Sequence, residues 1–99
     1  SPVQAKVLPI SDKNNDYAKR VVDALKARGI RCEADLRPEK IGYKIREAQL
    51  EKVPYMLVVG AKEEESGNVA VRSRDAGDLG VMDLPAFTDK LLDEINSKK

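Results

Sequence analysis

Residues 53–60, VPYMLVVG, form a continuous apolar run that limits the possible folds more than any other feature of the chain. The run is too short for a buried helix and becomes β-branched toward its end, as a buried strand does. A strand without polar alternation has both faces covered, which occurs mainly where helices pack on both sides of a sheet. We therefore expect residues 53–60 to be the central strand of an α/β fold.

The segments before this run alternate between strand and helix patterns. Residues 3–10, VQAKVLPI, predict a first strand that ends at a proline. Residues 11–16, SDKNND, offer several helix N-caps, and apolar residues at helical spacing then continue to Gly29, which can end a helix in the left-handed conformation. Residues 30–36 predict a short second strand, so this strand–helix–strand unit implies a right-handed parallel crossover.

A second helix is predicted over residues 41–52. The apolar stripe that should lie on the sheet consists of Ile41, Ile45 and Ala48. Tyr43 and Leu50 project roughly opposite this stripe, so they are either ordinary exposed residues or contacts for a partner. Gly42 costs about 1 kcal/mol relative to alanine inside a helix, which indicates either an irregular first turn or a close approach of another backbone.

The last third of the chain predicts a hairpin followed by a closing helix. Residues 62–68, KEEESGN, predict a turn, and residues 68–74, NVAVRSR, alternate as a strand. A second turn leads to a possible edge strand over residues 79–82, and Asp83 then caps the final helix.

The composition excludes several classes of function. The chain has 99 residues, of which 41% are hydrophobic and 35% are charged, with a net charge of +1, so we expect one soluble domain whose overall charge selects no partner. No histidine is present, which removes the commonest general base and the commonest zinc ligand. The six glycines match no phosphate-binding loop.

Cysteine content and apolar run length indicate the compartment. Cys32 is the only cysteine, so a disulfide framework is not expected, and a reducing compartment such as the cytoplasm is predicted. Because it lies in an apolar strand pattern, Cys32 is expected to be a small buried residue. No apolar run approaches the ~20 residues that cross a bilayer.

Charged residues in the second half of the chain are the sharpest candidates for a binding site. Arg72 and Arg74 lie two residues apart on a predicted strand, so they share one face and either are solvated or grip a phosphate or a guanine edge. Glu63 and its two acidic neighbours either pair with these arginines or accept from the N1 and N2 donors of an unstacked guanine.

A second basic group lies on and before the predicted helix at residues 41–52. It consists of Arg37, Lys40, Lys44 and Arg46. These side chains either follow an RNA backbone or form a solvated helix face that neighbouring glutamates balance. Periodicity and spacing therefore lead to an α/β interaction domain, with RNA as one possible partner.

The motifs of the sequence support a more specific interpretation. Six motifs occur in order and without gaps: ADLR (34–37), KIGYKIRE (40–47), VPYMLVVG (53–60), KEEESG (62–67), VAVRSR (69–74) and DLGVMDL (78–84). Together they resemble the C-terminal anticodon-binding domain of bacterial threonyl-tRNA synthetases, and the resemblance spans nearly the whole chain. Related domains of prolyl-, histidyl- and glycyl-tRNA synthetases share a looser form of this layout.

The resemblance implies a three-layer α/β fold in which a five-stranded mixed sheet is flanked by three helices, formed as a single domain over residues 1–99. It implies recognition of the anticodon loop of threonine tRNA by a non-catalytic part of a threonine-tRNA ligase. ATP, magnesium and zinc sites are expected only in the catalytic part, so no cofactor is expected here. The catalytic domain is an expected partner, and the parent enzyme is expected to be a cytoplasmic homodimer.

Two alternatives stay open beside this interpretation. One is an anticodon-binding domain of a prolyl-, glycyl- or histidyl-tRNA synthetase. The other is a protein-interaction module that has kept the fold of a synthetase domain.

The resemblance also implies roles for individual residues. Every threonine anticodon carries a guanine followed by a uracil; Arg72 would bind this guanine, Glu63 would accept from its Watson–Crick edge, and Lys52 would contact the loop. The full expected RNA-binding set is Arg72, Glu63, Lys52, Arg37, Lys40, Lys44 and Arg74. Two positions depart from the family pattern, because Pro38 stands where asparagine is common and Lys52 where arginine is frequent.

Overall fold

Strands and helices alternate along most of the chain in the computed structural model, which describes residues 3–97. The elements are β1 (Ala5–Pro9), α1 (Asn15–Ala27), β2 (Cys32–Ala34), α2 (Ile41–Leu50), β3 (Tyr55–Val59), α3 (Ala61–Ser66), β4 (Asn68–Ser73), β5 (Gly77–Asp83) and α4 (Leu84–Ser97). A single 3₁₀ turn, Asp12–Asn14, precedes α1, and the Ser11 hydroxyl caps it by accepting from the Lys13 N–H.

The five strands form one mixed sheet in the order β2-β1-β3-β4-β5. β1 is parallel to both β2 and β3, whereas β4 is antiparallel to β3 and to β5. The five-stranded mixed sheet, the parallel crossover and the central position of β3 are therefore confirmed. β5 is an edge strand, as its sequence indicated, and the Asp83 carboxylate caps α4 by accepting from the Ala86 N–H at 2.7 Å.

Helices cover the two faces of the sheet unequally. α1 and α4 pack on one face, where Leu25 and Phe87 join Leu57 of β3 in the larger core. α2 packs on the other face, where Ala48 contacts a smaller core that includes Met56. Leu57 and Met56 point to opposite faces because side chains alternate along a strand. Within residues 3–97, β4 and β5 carry no helix on the α2 side.

The segment that follows β3 is a short helix, so the prediction of a turn at residues 62–68 is wrong, and α3 is a fourth helix beside the three that were expected to flank the sheet. The Glu63 carboxylate reaches back and accepts from the Gly60 N–H at 2.8 Å, which satisfies a donor at the start of α3. Gly67, with a φ of 76°, ends the helix after Ser66. Six residues form fewer than two helical turns, so the sequence of α3 shows no apolar stripe that would predict a helix.

The end of α2 also differs from its sequence prediction. The helix stops at Leu50, and Lys52 adopts a left-handed φ of 63°. The Lys52 N–H donates to the Gln49 carbonyl and the Val53 N–H to the Ala48 carbonyl, which is the Schellman arrangement of a helix terminus. A lysine therefore occupies the position that usually belongs to glycine, so it carries a steric cost.

Buried and exposed residues largely follow the predicted patterns. Cys32 is buried, its thiol lies 3.5 Å from the Val22 carbonyl, and burial raises the pKa of the thiol. Tyr43 and Leu50 are exposed on the side of α2 away from the sheet. A Cβ at Gly42 would meet no atom within 4 Å, so packing inside the protein does not explain this glycine.

Candidate nucleic-acid interface

The uncovered part of the sheet forms a shallow surface beside α2. Pairing places Arg72 of β4 beside Met56 of β3, and Ala70 between Val58 and Val81. These residues share the α2 side of the sheet because partners in antiparallel strands face the same way. Ala70 and Arg72 are half-buried, and Val81 is 58% exposed. We call this surface, formed by β3, β4 and β5 next to α2, the open face.

The outer side of α2 carries an unpaired cation. Glu51 and Glu47 lie on the flank toward β2, where they pair with Lys6 and Arg37 respectively. Helical periodicity places Arg46 one turn before the exposed Leu50, so Arg46 lies on the outer side of α2 and not over the sheet. The Arg46 side chain is exposed and forms no hydrogen bond or ion pair with any other described residue. It is therefore available to a ligand that contacts α2 from outside.

Arg72 is the most unusual basic residue of this surface. Its Nε atom is buried and has no hydrogen-bond partner among residues 3–97. No ion pair to its guanidinium occurs within the same range. Buried polar donors are nearly always satisfied in native proteins, so an orphaned guanidinium at the edge of an open surface indicates a missing acceptor.

Lys52 and Arg74 lie at the end of the open face near the start of β3. The Arg74 N–H donates to the Pro54 carbonyl at 2.9 Å, and its guanidinium makes long contacts of 3.5 Å to the Lys52 carbonyl and 3.4 Å to Asp75. Both side chains are exposed. The contact to Lys52, at the end of α2, agrees with the prediction that Arg74 shares the face of Arg72. The structure therefore brings Lys52, Arg72 and Arg74 into one region.

Arg37 is held in a network on the other side of α2. It donates to both carboxylate oxygens of Asp35, at 2.8 and 2.7 Å, and also to Glu47. The side-chain hydrogen bond from Arg37 holds the pKa of the buried Asp35 carboxyl below its usual range. Tyr43 completes the network, because its hydroxyl donates to Glu47 at 2.8 Å and its ring lies against the guanidinium. Arg37 thus ties the β2–α2 loop to α2.

Lys44 points into the protein, so the solvated helix face, one of the two alternatives for this basic group, does not include it. Its side chain is buried, and Nζ donates to the carbonyls of Pro9 and Asp35 at 3.1 Å each. These carbonyls lie where β1 ends and beyond β2, beneath α2, and would otherwise be left without a donor. By contrast, Lys40, at the N-cap of α2, is exposed and its side chain pairs with no described residue.

Glu63 is not placed beside Arg72. Its carboxylate is bonded at Gly60, whereas Arg72 lies across from Met56, four residues earlier on β3 and roughly 13 Å away along the strand. The neighbouring Glu64 turns to the other face, where it accepts from Asn14. The glutamates of α3 therefore do not pair with the arginines of β4.

One residue of the open face escaped the sequence analysis. Asp78 lies directly opposite Arg72 in the β4–β5 ladder. Its carboxylate accepts from the Gly80 N–H at 2.8 Å. The signal that could have found it is the Asp-X-Gly spacing of residues 78–80, because aspartate often bonds the backbone two residues further on.

Metal sites, membrane-spanning helices and cavities are the features that would indicate other functions. In the range 3–97 no group of three or more histidine, cysteine, aspartate or glutamate side chains is arranged to hold a metal ion. None of the helices in that range is long and apolar enough to span a lipid bilayer. A cavity of about 330 Å³ lies beside Tyr55 and α4, on the sheet face away from α2, and none of the predicted RNA-binding residues lines it.

An α/β domain with an open sheet surface and unpaired cations beside it has the features of a nucleic-acid-binding domain. Comparison with known proteins shows which family of nucleic-acid-binding domains this is. Residues 4–94 match the sequence model of the family described as "Anticodon binding domain". The chain belongs to this anticodon-binding domain family.

Curated relatives and a solved structure agree with this membership. The chain is 62% identical over 99 residues to a threonine–tRNA ligase of Clostridium botulinum (strain Eklund 17B) and 61% identical over 99 residues to that of Acetivibrio thermocellus. It spans only 15% and 16% of the lengths of these two proteins. The crystal structure of the RNA binding domain of threonyl-tRNA synthetase from Cryptosporidium parvum superposes with a TM-score of 0.89 at 38% identity, covering 94% of this chain and 24% of that one.

Proposed function

We propose that this protein recognises the anticodon loop of threonine tRNA as the non-catalytic part of a threonine-tRNA ligase. The observation that carries the proposal is the orphaned guanidinium of Arg72 at the edge of the open face. The identity to threonine–tRNA ligases, at 62% and 61%, supports the choice of tRNA.

Arg72 is the proposed reader of the guanine that every threonine anticodon carries at its middle position. A guanidinium fork fits the O6 and N7 acceptors of guanine, and each good bidentate contact contributes about 1–3 kcal/mol of discrimination against another base. Bases of a single-stranded loop can be turned outward, so they can reach a shallow protein surface. The half-buried position of Arg72 excludes part of the competing water and fixes the direction of the fork.

The remaining exposed cations of this surface are proposed to contact the RNA backbone. Lys52 and Arg74 border the open face, Arg46 lies on the outer side of α2, and Lys40 lies at the start of that helix. Such contacts set affinity and orientation, whereas base contacts set specificity. Lys52 supports this role, because a lysine that keeps a strained left-handed backbone indicates a side chain needed for function.

RNA contacts of Glu63, Arg37 and Lys44 stay predictions. Glu63 can still use the carboxylate oxygen that is not bonded to Gly60. For Arg37 and Lys44 we propose an indirect role, since the bond of Arg37 to Glu47 and the bonds of Lys44 to two carbonyls hold α2 in place above the sheet. That position of α2 in turn sets the distance between Arg46 and the open face.

The parent enzyme is proposed to charge threonine tRNA in an ATP-dependent reaction in the cytoplasm, where translation takes place. Its ATP, magnesium and zinc sites are proposed to lie outside these 99 residues. The proposed partners are the tRNA, the catalytic domain of the same enzyme and a second subunit.

A protein-interaction module is the second candidate function. The observation that favours it is the pair of exposed apolar side chains on α2, Leu50 at 75% and Tyr43 at 45% exposure. These residues lie on the outer side of the helix, so a protein partner there would leave the open face accessible.

The proposal is tested by titrating the protein with threonine tRNA and with the same tRNA carrying a different middle anticodon base. We expect binding that weakens with salt and that falls about tenfold or more when the guanine is replaced. The tRNAs for proline, glycine and histidine serve as competitors and should bind more weakly than threonine tRNA. Equal binding of both threonine tRNAs would reject anticodon reading, and preference for a competitor would assign the domain to another synthetase.

A further inference from the structure

Arg72 has an acidic residue directly across the sheet, yet the two side chains form no ion pair. β4 and β5 align Arg72 with Asp78. Residues aligned in this way have Cβ atoms roughly 5 Å apart on one face, so an arginine and an aspartate there attract each other. In the described part of the chain, however, the Arg72 Nε has no hydrogen-bond partner and Asp78 bonds elsewhere.

The Asp78 carboxylate is held by its own strand. Its Oδ1 accepts from the Gly80 N–H at 2.8 Å, which is the local bond that aspartate makes to the backbone two residues on. Gly80 has a φ of 88°, a conformation that glycine adopts without steric cost. The register shifts between Val71 and Arg72, so Leu79 is an extra residue in β5. This one-residue bulge allows the Gly80 N–H to bond the Asp78 carboxylate, which forms no ion pair with Arg72 in the described part of the chain.

A guanidinium that is paired within the protein has fewer donors left for RNA. Arg37 is an example of the paired state, with both oxygens of Asp35 bonded to it. We propose that Asp78 and Gly80 are positioning residues, and that the bulge they form keeps Arg72 unpaired and ready to bind a nucleotide. This inference rests on the proposed role of Arg72 in anticodon recognition.

Two substitutions of Asp78 with opposite expected effects test the inference. Asp78→Glu keeps the charge, but its longer side chain does not form the two-residue bond and reaches across to Arg72. Asp78→Asn keeps an oxygen for the Gly80 N–H and removes the charge. We expect Asp78→Glu to weaken binding of threonine tRNA by about threefold to fivefold, as a competing exposed ion pair would. Asp78→Asn should stay within about twofold of the wild type or bind more tightly.

The same substitution in an Arg72→Ala background isolates the coupling between the two residues. If Asp78→Glu acts by occupying Arg72, it should cause no further loss once Arg72 is removed. A loss that persists in this background, or equal losses from Asp78→Glu and Asp78→Asn, would overturn the positioning role. The second of these results would instead indicate that the Asp78 carboxylate contacts RNA itself.

A crystal structure of the Asp78→Glu variant without RNA separates this inference from the proposed function. We expect the introduced carboxylate to lie within ion-pair distance of the Arg72 guanidinium, and a carboxylate that points elsewhere would overturn the inference. If Asp78→Glu does not fold, deletion of Leu79 removes the bulge and should produce the same ion pair with Asp78. Unchanged tRNA binding by Arg72→Ala alone would reject the role of Arg72 in recognition, whereas the crystal structure would still decide the pairing.

Discussion

The two halves of the α2 side of the sheet use their basic residues differently. In the half covered by α2, Lys6 bonds Glu51, Arg37 bonds Asp35 and Lys44 bonds two backbone carbonyls. In the open half, Arg72 has no ion pair with any residue between 3 and 97. The chain has a net charge of only +1, so charge alone does not mark a binding surface. What distinguishes the open half is that Arg72, unlike Lys6, Arg37 and Lys44, lacks a partner among the described residues.

The largest expected effect on stability comes from the covered half. Lys44→Met should lower the free energy of unfolding by about 2–3 kcal/mol, because the carbonyls of Pro9 and Asp35 would be left buried without a donor. Urea denaturation measures this change. Lys40→Met, at an exposed site four residues earlier, is the matched control and should change stability by less than about 0.5 kcal/mol. Similar stabilities for both variants would remove the distinction between a structural and an available lysine.

A smaller loss is expected at the start of α3. Glu63→Ala removes the acceptor of the Gly60 N–H and a negative charge in the first helical turn, so it should destabilise the protein by about 1 kcal/mol. Thermal unfolding followed by circular dichroism measures the change, and Glu63→Gln, which keeps the acceptor, is the control. If Glu63→Ala instead leaves stability intact and weakens tRNA binding, the carboxylate serves recognition rather than capping.

Lys52 is expected to combine a gain in stability with a loss in binding. Lys52→Gly should stabilise the protein by up to about 1 kcal/mol, because glycine adopts the φ of 63° without steric cost. The same variant should bind threonine tRNA more weakly, since one backbone contact is lost. Arg31→Gly, an exposed cation on the β2 side of the molecule, should leave tRNA binding unchanged. A stabilised Lys52→Gly protein with unaltered affinity would show that Lys52 does not contact the RNA.

The smallest effect is a pH dependence confined to acid. Arg37 lowers the pKa of the Asp35 carboxyl in the folded state, so this pair stabilises the fold above the ordinary aspartate pKa of about 3.9. The contribution is lost as the pH falls through the lower folded-state pKa. The stability difference between wild type and Arg37→Gln, measured in urea from pH 7 to pH 2, should therefore shrink below about pH 4. A difference that stays constant with pH would show that Asp35 does not carry this stabilisation.

The sequence predicted those parts of the fold that depend on local patterns. β3 was recognisable from its unbroken apolar run, and the end of α1 from Gly29. α3 was missed because a helix of six residues has no apolar stripe, and only the spacing between Gly60 and Glu63 marks its cap. A local pattern is sufficient to predict a helix or strand when the segment is long enough for its apolar spacing to repeat.

The pairing state of the basic residues could not be predicted in the same way. Lys44 is buried because carbonyls at Pro9 and Asp35, distant in sequence, need a donor once β1 and β2 lie under α2. Arg72 is unpaired because a bulge in β5 ties up Asp78. Both outcomes depend on register and long-range packing. The sequence therefore could not separate, among the seven predicted RNA-binding residues, cations that bond inside the protein from cations that are open to a ligand.

The most direct test of the central claim combines Arg72→Ala with a change of the middle anticodon base in a double-mutant cycle. Affinity for threonine tRNA is measured for both proteins and both RNAs at one salt concentration. We expect Arg72→Ala to cost about 1–3 kcal/mol on the native anticodon and almost nothing on the altered one, with little change in protein stability. Equal losses on the two RNAs would contradict base reading by the unpaired arginine.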